Sequence, residues 1–138
     1  MTASTCELCA NPGGEILWRD ALARIVWIHD AQHPAFMRVI WNQHVKEMTD
    51  LAPSEGAHLM ELVFRTERAL RDCLQPHKIN LASLGNKVAH LHWHVIPRFV
   101  DDPHFPDPIW ATATRSGAHV LNDPEAFRNS LIKKLTDF

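Results

Sequence analysis

The spacing of apolar and polar positions changes period along this chain, and the changes mark out its elements. Two short apolar runs, Ile16 to Trp18 and Leu22 to Ile28, flank the polar pair Arg19 and Asp20, which predicts a hairpin. A third run, "MRVIWNQHV" over 37–45, predicts a third strand. The period then lengthens. In "EMTDLAPSEGAHLMELVFRTERALRDCLQ" the residues Leu59, Val63, Thr66, Leu70 and Cys73 recur at spacings of three and four, with Glu61, Arg65, Arg68 and Arg71 between them. That is an amphipathic helix, with Pro53 suited to its first turn and Pro76 just past its end. "KINLASLG" and "VAHLHWHVIPRF" return to strand character and supply a fourth and a fifth strand. Three prolines in "DDPHFPDPIW" make an irregular arm beyond Phe99, and Pro124 to Leu135 form a terminal helix capped by Asn122 or Asp123. "MTASTCELCANPGG" at the start reads as a loop. The sum is an α+β domain over residues 1–138, a mostly antiparallel sheet of about five strands with one long helix and a C-terminal helix. No internal repeat or low-complexity tract interrupts it.

The fifth run carries the chemistry. In "HLHWHVI" the residues His90, His92 and His94 alternate with Leu91, Trp93 and Val95, and on a strand the three histidines share one face. Neutral imidazole ligates metals, so a metal-dependent enzyme using the row directly is one reading. Geometry limits it, because His90 and His94 would lie roughly 13 Å apart on a strand, too far for one ion. The spacing better suits a middle histidine flanked by two helpers: His92 oriented through one ring nitrogen and nucleophilic through the other. Lone histidines beside a core are ordinarily structural, and His29, His33, His58, His77, His104 and His119 are read that way.

Composition narrows the classes. A formal net charge of −2 gives no basic excess to attract a polyanion, so no nucleic-acid partner is expected. No apolar run approaches about 18 residues and no basic segment precedes an apolar one at the N-terminus, which argues against a membrane span or signal peptide and for a cytoplasmic protein. Three cysteines are too few and too odd for a disulfide framework. "CELC" places Cys6 and Cys9 at metal-knuckle spacing, but one pair supplies two of the four ligands of a closed zinc site. A redox pair, or two cysteines with no joint role, are the other readings.

"HLHWHVI" followed by Pro97 and Arg98 resembles the signature of the histidine triad superfamily, in its hydrolase branches. The resemblance extends over about Cys6 to Phe99 through "LGNKVAH", "QHVKEMTDL" and the aspartate of "WIHDA", leaving 100–138 as an arm and helix outside it. It implies a homodimer that acts on a small purine nucleotide, a diadenosine polyphosphate or a nucleoside phosphoramidate, as a hydrolase or nucleotidyl transferase. His92 would attack the α-phosphorus to give a nucleotidyl-histidine. His94 would hold the phosphate and handle the leaving group's proton, and the backbone of His90 would orient the nucleophile. Asn80 and Asn86 fall where the family contacts phosphate or ribose, and Asp30 where a carboxylate accepts the ribose hydroxyls. Some relatives pair two such cysteines with two histidines, which here gives Cys6, Cys9, His44 and His90 as a structural zinc site. No organic cofactor is implied.

The chain also departs from the pattern. Counting back eight residues from His44 reaches Phe36, where family members commonly have a further histidine, so the hydrogen-bond relay behind the triad is expected to be altered or absent. "IWNQH" replaces the common "IPKxH", and the segment from Asp30 to His44 is about two residues short, so a reshaped nucleoside pocket is expected. Because of Phe36, a nucleotide-binding regulatory module with little turnover is the alternative. Trp110 in the arm is read as a packing residue, stacking on a base being the other use of such a ring.

Overall fold

A computed structural model describes residues 2–137. Five antiparallel strands form one sheet in the order β1-β2-β3-β5-β4: β1 Glu15–Arg19, β2 Ala23–Trp27, β3 Met37–Trp41, β4 Lys78–Ala82 and β5 His92–Arg98. The helices are a single turn α1 (Glu7–Ala10), the long α2 (Pro53–Leu74) and α3 (Pro124–Thr136). This is the α+β arrangement expected from the sequence.

The sheet is covered on one face by α2 and α3. Alternate strand residues Ala23, Ile25, Trp27, Val39, Trp41 and Val95 share one buried core with Leu59, Leu62, Val63, Ala69 and Leu70 of α2. Burying these side chains is the main stabilising term, because apolar surface leaves water at about 25 cal/mol per Å². Helix α2 starts with Pro53, which needs no N–H partner, and Glu55 Oε1 accepts the Ala52 N–H at 2.7 Å. It ends where Gln75 turns left-handed (φ 50°) before Pro76. Asp123 caps α3 by accepting the Ala126 N–H at 3.0 Å, and Phe127, Leu131 and Leu135 seat α3 on the core.

The opposite face is short of helices and carries polar residues. Cross-strand pairing aligns Arg24 with Ile40, Ile40 with His92, Val26 with Arg38 and Arg38 with His94. The N-terminal segment covers part of this face, with Cys6 and Leu8 packed on Val26 and Ile40. Gly13 allows that close approach: its φ is +85°, and a Cβ there would come within 2.8 Å of Ile40 Cδ1 and Leu8 Cδ2.

Several boundaries are tighter than the apolar runs suggest. The third strand stops at Trp41 rather than Val45, because Asn42 turns out of the ladder to donate its N–H to Leu22 O and to accept from Arg24 at 2.9 Å. Leu22 belongs to a turn held by Asp20 Oδ1, which accepts the N–H groups of Leu22 and Ala23. The fifth strand starts at His92 rather than at Val88, and "CELC" contains the helical turn α1 rather than a loop. Among the described residues no helix is long and apolar enough to cross a membrane.

Candidate active site

His92 and His94 project from β5 onto the face away from α2, buried, with ring centroids 4.9 Å apart and planes at 89°. Nδ1 of His92 lies 2.5 Å from the carbonyl oxygen of His90. A carbonyl only accepts, so Nδ1 carries the proton there and Nε2 keeps its lone pair. His92 lines a cleft of about 280 Å³ with Met48, Thr49, Ser83 and Gly85, and Ser83 Oγ donates to the His92 carbonyl at 2.8 Å. Burial pushes the His92 imidazole below its ordinary pKa; the His90 carbonyl works against that and Arg38 adds to it.

His94 sits among rings. Phe36 meets it edge-on at 5.4 Å and Trp110 at 5.2 Å, while its Nδ1 is buried with no hydrogen-bond partner. The position flagged by the missing histidine is therefore filled by an apolar ring that cannot continue a relay. Burial, then the neighbouring His92 and Arg38, lower the His94 pKa to about 3, so at neutral pH it is uncharged. Trp110 is not a core residue: it is 52% exposed, at the rim of the histidine pair. Its use there was not legible from composition, which treats any tryptophan first as core material.

His90 does not share the row. It precedes β5, in a tight turn closed by its own N–H on Val88 O, while Leu91 bonds to Val45 and Trp41. Its Nε2–H donates to Trp41 O at 2.6 Å, which leaves Nδ1 as a lone pair aimed at the N-terminal segment. There Cys6 Sγ lies 3.4 Å, Cys9 Sγ 3.5 Å and His44 Nδ1 3.3 Å away, and Cys9 Sγ is 3.4 Å from His44 Nδ1. The four donor atoms lie within 4.8 Å of one another. A tetrahedral zinc with these ligands would set donor-to-donor edges of about 3.3–3.8 Å. The donor set therefore fits such an ion in type, number and spacing. Arg24 holds the segment in place, donating to Pro12 O at 2.8 Å and Leu8 O at 2.6 Å from a buried guanidinium.

The other residues singled out in the sequence scatter more widely. Asp30 lies beyond β2, its carboxylate accepting the N–H groups of Gln32 (3.1 Å) and His33 (2.9 Å). Asn80 is on β4, where its Oδ1 accepts from Arg98 at 2.8 Å. Asn86 is exposed in the loop before β5. The arm adds a cluster that residue spacing does not reveal. Arg98 makes a buried bidentate pair with Asp102 at 2.8 and 3.0 Å, and His33 Nε2 meets His104 Nδ1 at 2.9 Å across 71 positions of sequence. The arm is thereby fastened to the triad face. Burial keeps the His33 imidazole below its ordinary pKa against the pull of Asp102.

The sequence profile of the HIT domain matches residues 13–101. The chain belongs to the histidine triad family. A histidine triad protein from Bradyrhizobium japonicum superposes with a TM-score of 0.76 at 29% identity, over 90% of this chain and 92% of that one. A Zn-bound histidine triad family protein from Mycobacterium smegmatis superposes with a TM-score of 0.68 at 21% identity, over 99% and 96% of the two chains, which shows the shared fold. An "AP-4-A phosphorylase" of Mycobacterium tuberculosis (strain ATCC 25618 / H37Rv) is 33% identical over 79 residues, 53% of this chain. The match spans 40% of that relative's length.

Proposed function

We propose that this histidine triad protein is a nucleotide hydrolase or nucleotidyl transferase that cleaves the α-phosphate linkage of a small purine nucleotide through a nucleotidyl-His92 intermediate. The observation that carries the reading is the 2.5 Å bond from His92 Nδ1 to the His90 carbonyl, which fixes the ring and leaves Nε2 as the free nucleophile at a cleft. In the first step the Nε2 lone pair forms a bond to the α-phosphorus, and the bond from phosphorus to the leaving group breaks with its electron pair going to that group. In the second step water attacks the phosphorus, the P–N bond returns its pair to His92, the water proton leaves to solvent, and a nucleoside monophosphate departs.

The choice of leaving group follows from His94. An amine leaving group needs a proton, whereas a polyphosphate departs as a stable anion. The neutral His94, with Phe36 behind it, is a weak proton source, which favours a dinucleoside polyphosphate over a phosphoramidate. The similarity to the AP-4-A phosphorylase of Mycobacterium tuberculosis supports the same substrate class. Asp30, Asn80 and Asn86 are assigned to the ribose and phosphate by the family pattern, and a homodimer is part of the same reading.

Cys6, Cys9, His44 and His90 would hold a zinc ion, whose contribution is structural: it ties the N-terminal segment to the start of β5. A catalytic metal held by the histidine row is not favoured, since His90 commits its Nδ1 to the cysteines and its Nε2 to the Trp41 carbonyl.

A second reading, a nucleotide-binding module with little turnover, is favoured by one observation, the unpartnered Nδ1 of His94. Turnover of diadenosine tetraphosphate, an adenosine phosphoramidate and a nucleoside diphosphate sugar by the intact protein and by His92→Ala separates the two. Release of a nucleoside monophosphate that disappears in the variant supports the enzyme. Nucleotide binding without cleavage supports the module.

A further inference from the structure

Arg24, Arg38 and Arg98 all lie on the triad face of the sheet, on three different strands and at different rungs of the ladder: Arg24 opposite Ile40, Arg38 opposite Val26 and His94, and Arg98 opposite Lys78. Two of them are committed to the fold. Arg24 is spent on the carbonyls of the N-terminal segment and on Asn42, and Arg98 on Asp102 and Asn80. Arg38 differs. Its Nε is buried with no hydrogen-bond partner, and its guanidinium rests 5.7 Å from the Phe36 ring centroid. It stands directly opposite His94 in the β3–β5 ladder, a placement that puts Cβ atoms about 4.5–5.5 Å apart. The next pair on the same face is Ile40 and His92. The carboxylates of Glu7 and Asp30 act on it only through space.

A guanidinium nitrogen withdrawn from water without a partner is costly, because burial disfavours a charged group's donor that is not hydrogen-bonded. On the sheet face that carries the nucleophile, one rung pair from it, such a group is a preorganised donor for an anion. Arginine suits this task, since its planar fork matches two oxygens of one phosphate. The Phe36 ring orients it: the position that lacks a relay histidine instead supports a cation on its face.

We propose that Arg38 is the phosphate subsite of this face, donating to the non-bridging oxygens of the phosphoryl group that His92 attacks. The inference rests on the nucleotidyl-transfer reading for the identity of that group. The ligand class is the phosphate of a nucleotide, and a bare nucleoside gains nothing from Arg38. Positive charge at the reacting phosphorus then comes from a fixed guanidinium on β3, and not from a protonated triad histidine.

The test compares AMP, adenosine and pyrophosphate binding by calorimetry in the intact protein, Arg38→Met and Arg38→Lys, with thermal unfolding of each. Arg38→Met is expected to weaken AMP binding by about tenfold or more while changing adenosine binding less than about twofold, since hydrogen bonds to a charged group carry that much. Arg38→Lys should recover part of the loss, as a point charge without the fork. Equal loss of AMP and adenosine, or AMP binding no tighter than adenosine in the intact protein, overturns the subsite. Turnover run alongside with His92→Ala distinguishes the two claims. Arg38-dependent AMP binding without His92-dependent cleavage keeps the subsite and removes the reaction. His92-dependent cleavage with unchanged AMP binding and kcat/KM in Arg38→Met does the reverse.

Discussion

Phe36 packs edge-on against His94, ring centroids 5.4 Å apart at 65°, and the His94 Nδ1 beside it is buried without a partner. A histidine at 36 would supply a donor or acceptor where this chain supplies a ring edge. The ring is part of the packing that buries His94, and burial is the first cause of its lowered pKa.

Phe36→His should therefore raise the His94 pKa from about 3 toward the ordinary imidazole range and should speed phosphoramidate cleavage relative to dinucleoside polyphosphate cleavage. NMR titration of the His94 ring and the ratio of the two kcat/KM values check this. An unchanged ratio with a raised pKa would remove His94 from leaving-group protonation.

Removing the nucleophile should be far more damaging. His92→Ala is expected to lower kcat by about 10³-fold or more with nucleotide affinity retained, as for other nucleophile deletions. Single-turnover assays with a labelled nucleotide, quenched to trap the phosphohistidine, read the intermediate directly in the intact protein.

Acid should loosen the fold through its buried histidines. His33 and His94 both have folded pKa values below the unfolded value of about 6.5. In acid the unfolded chain takes up protons that the folded one refuses. Their contribution is thus present above about pH 6.5 and is lost progressively as pH falls. Urea unfolding between pH 8 and 4 should show this decline, and His33→Gln should make it shallower.

The Arg98–Asp102 pair responds differently. Burial acts to raise the Asp102 pKa, but Arg98 and the backbone N–H groups of His104, Phe105 and Phe99 outweigh it and hold the carboxyl well below the carboxylate range. Its contribution is full above about pH 4 and is lost only as pH falls further. Asp102→Asn leaves a buried guanidinium without its counter-charge and should cost about 3–5 kcal/mol, measured by denaturant unfolding at pH 7.

Metal analysis of the purified protein should find one zinc per chain, and Cys9→Ser or chelation should lower both the zinc content and the melting temperature. Arg24→Met should weaken metal retention as well, although it touches no ligand atom, because it releases the carbonyls of Leu8 and Pro12. Zinc retention equal to that of the intact protein in Arg24→Met would show that the segment holds itself.

Much of this was legible in the residues. Period-two and period-four apolar spacing located all five strands and both long helices, because each buries one face against the same core. The tight ends were not, since they depend on side chains from distant elements, as with Asn42 and Arg24. His90 looked like a third member of a row because spacing carries no sign of where a strand starts. The pairing of β4 with β5 that brings Arg98 against the Asn80 side-chain carbonyl oxygen was not legible either, since it joins residues 18 positions apart. The His33–His104 contact joins residues too far apart in sequence for any local pattern. Arg38 left a usable trace: a cation inside "MRVIW" at the alternate position faces away from the core, on the same side as the histidines.

His90 serves two masters through two different atoms. Its ring nitrogen joins the donors contributed by Cys6, Cys9 and His44, while its carbonyl oxygen steers the ring of His92. Exchanging the side chain removes a ligand yet leaves the carbonyl in the chain, so a defect in His90→Ala reports how well the backbone stays put once the N-terminal anchor is cut. That makes this variant a gauge of mechanical connection between anchor and nucleophile, with Cys9→Ser and His92→Ala as the readings at either end of its scale.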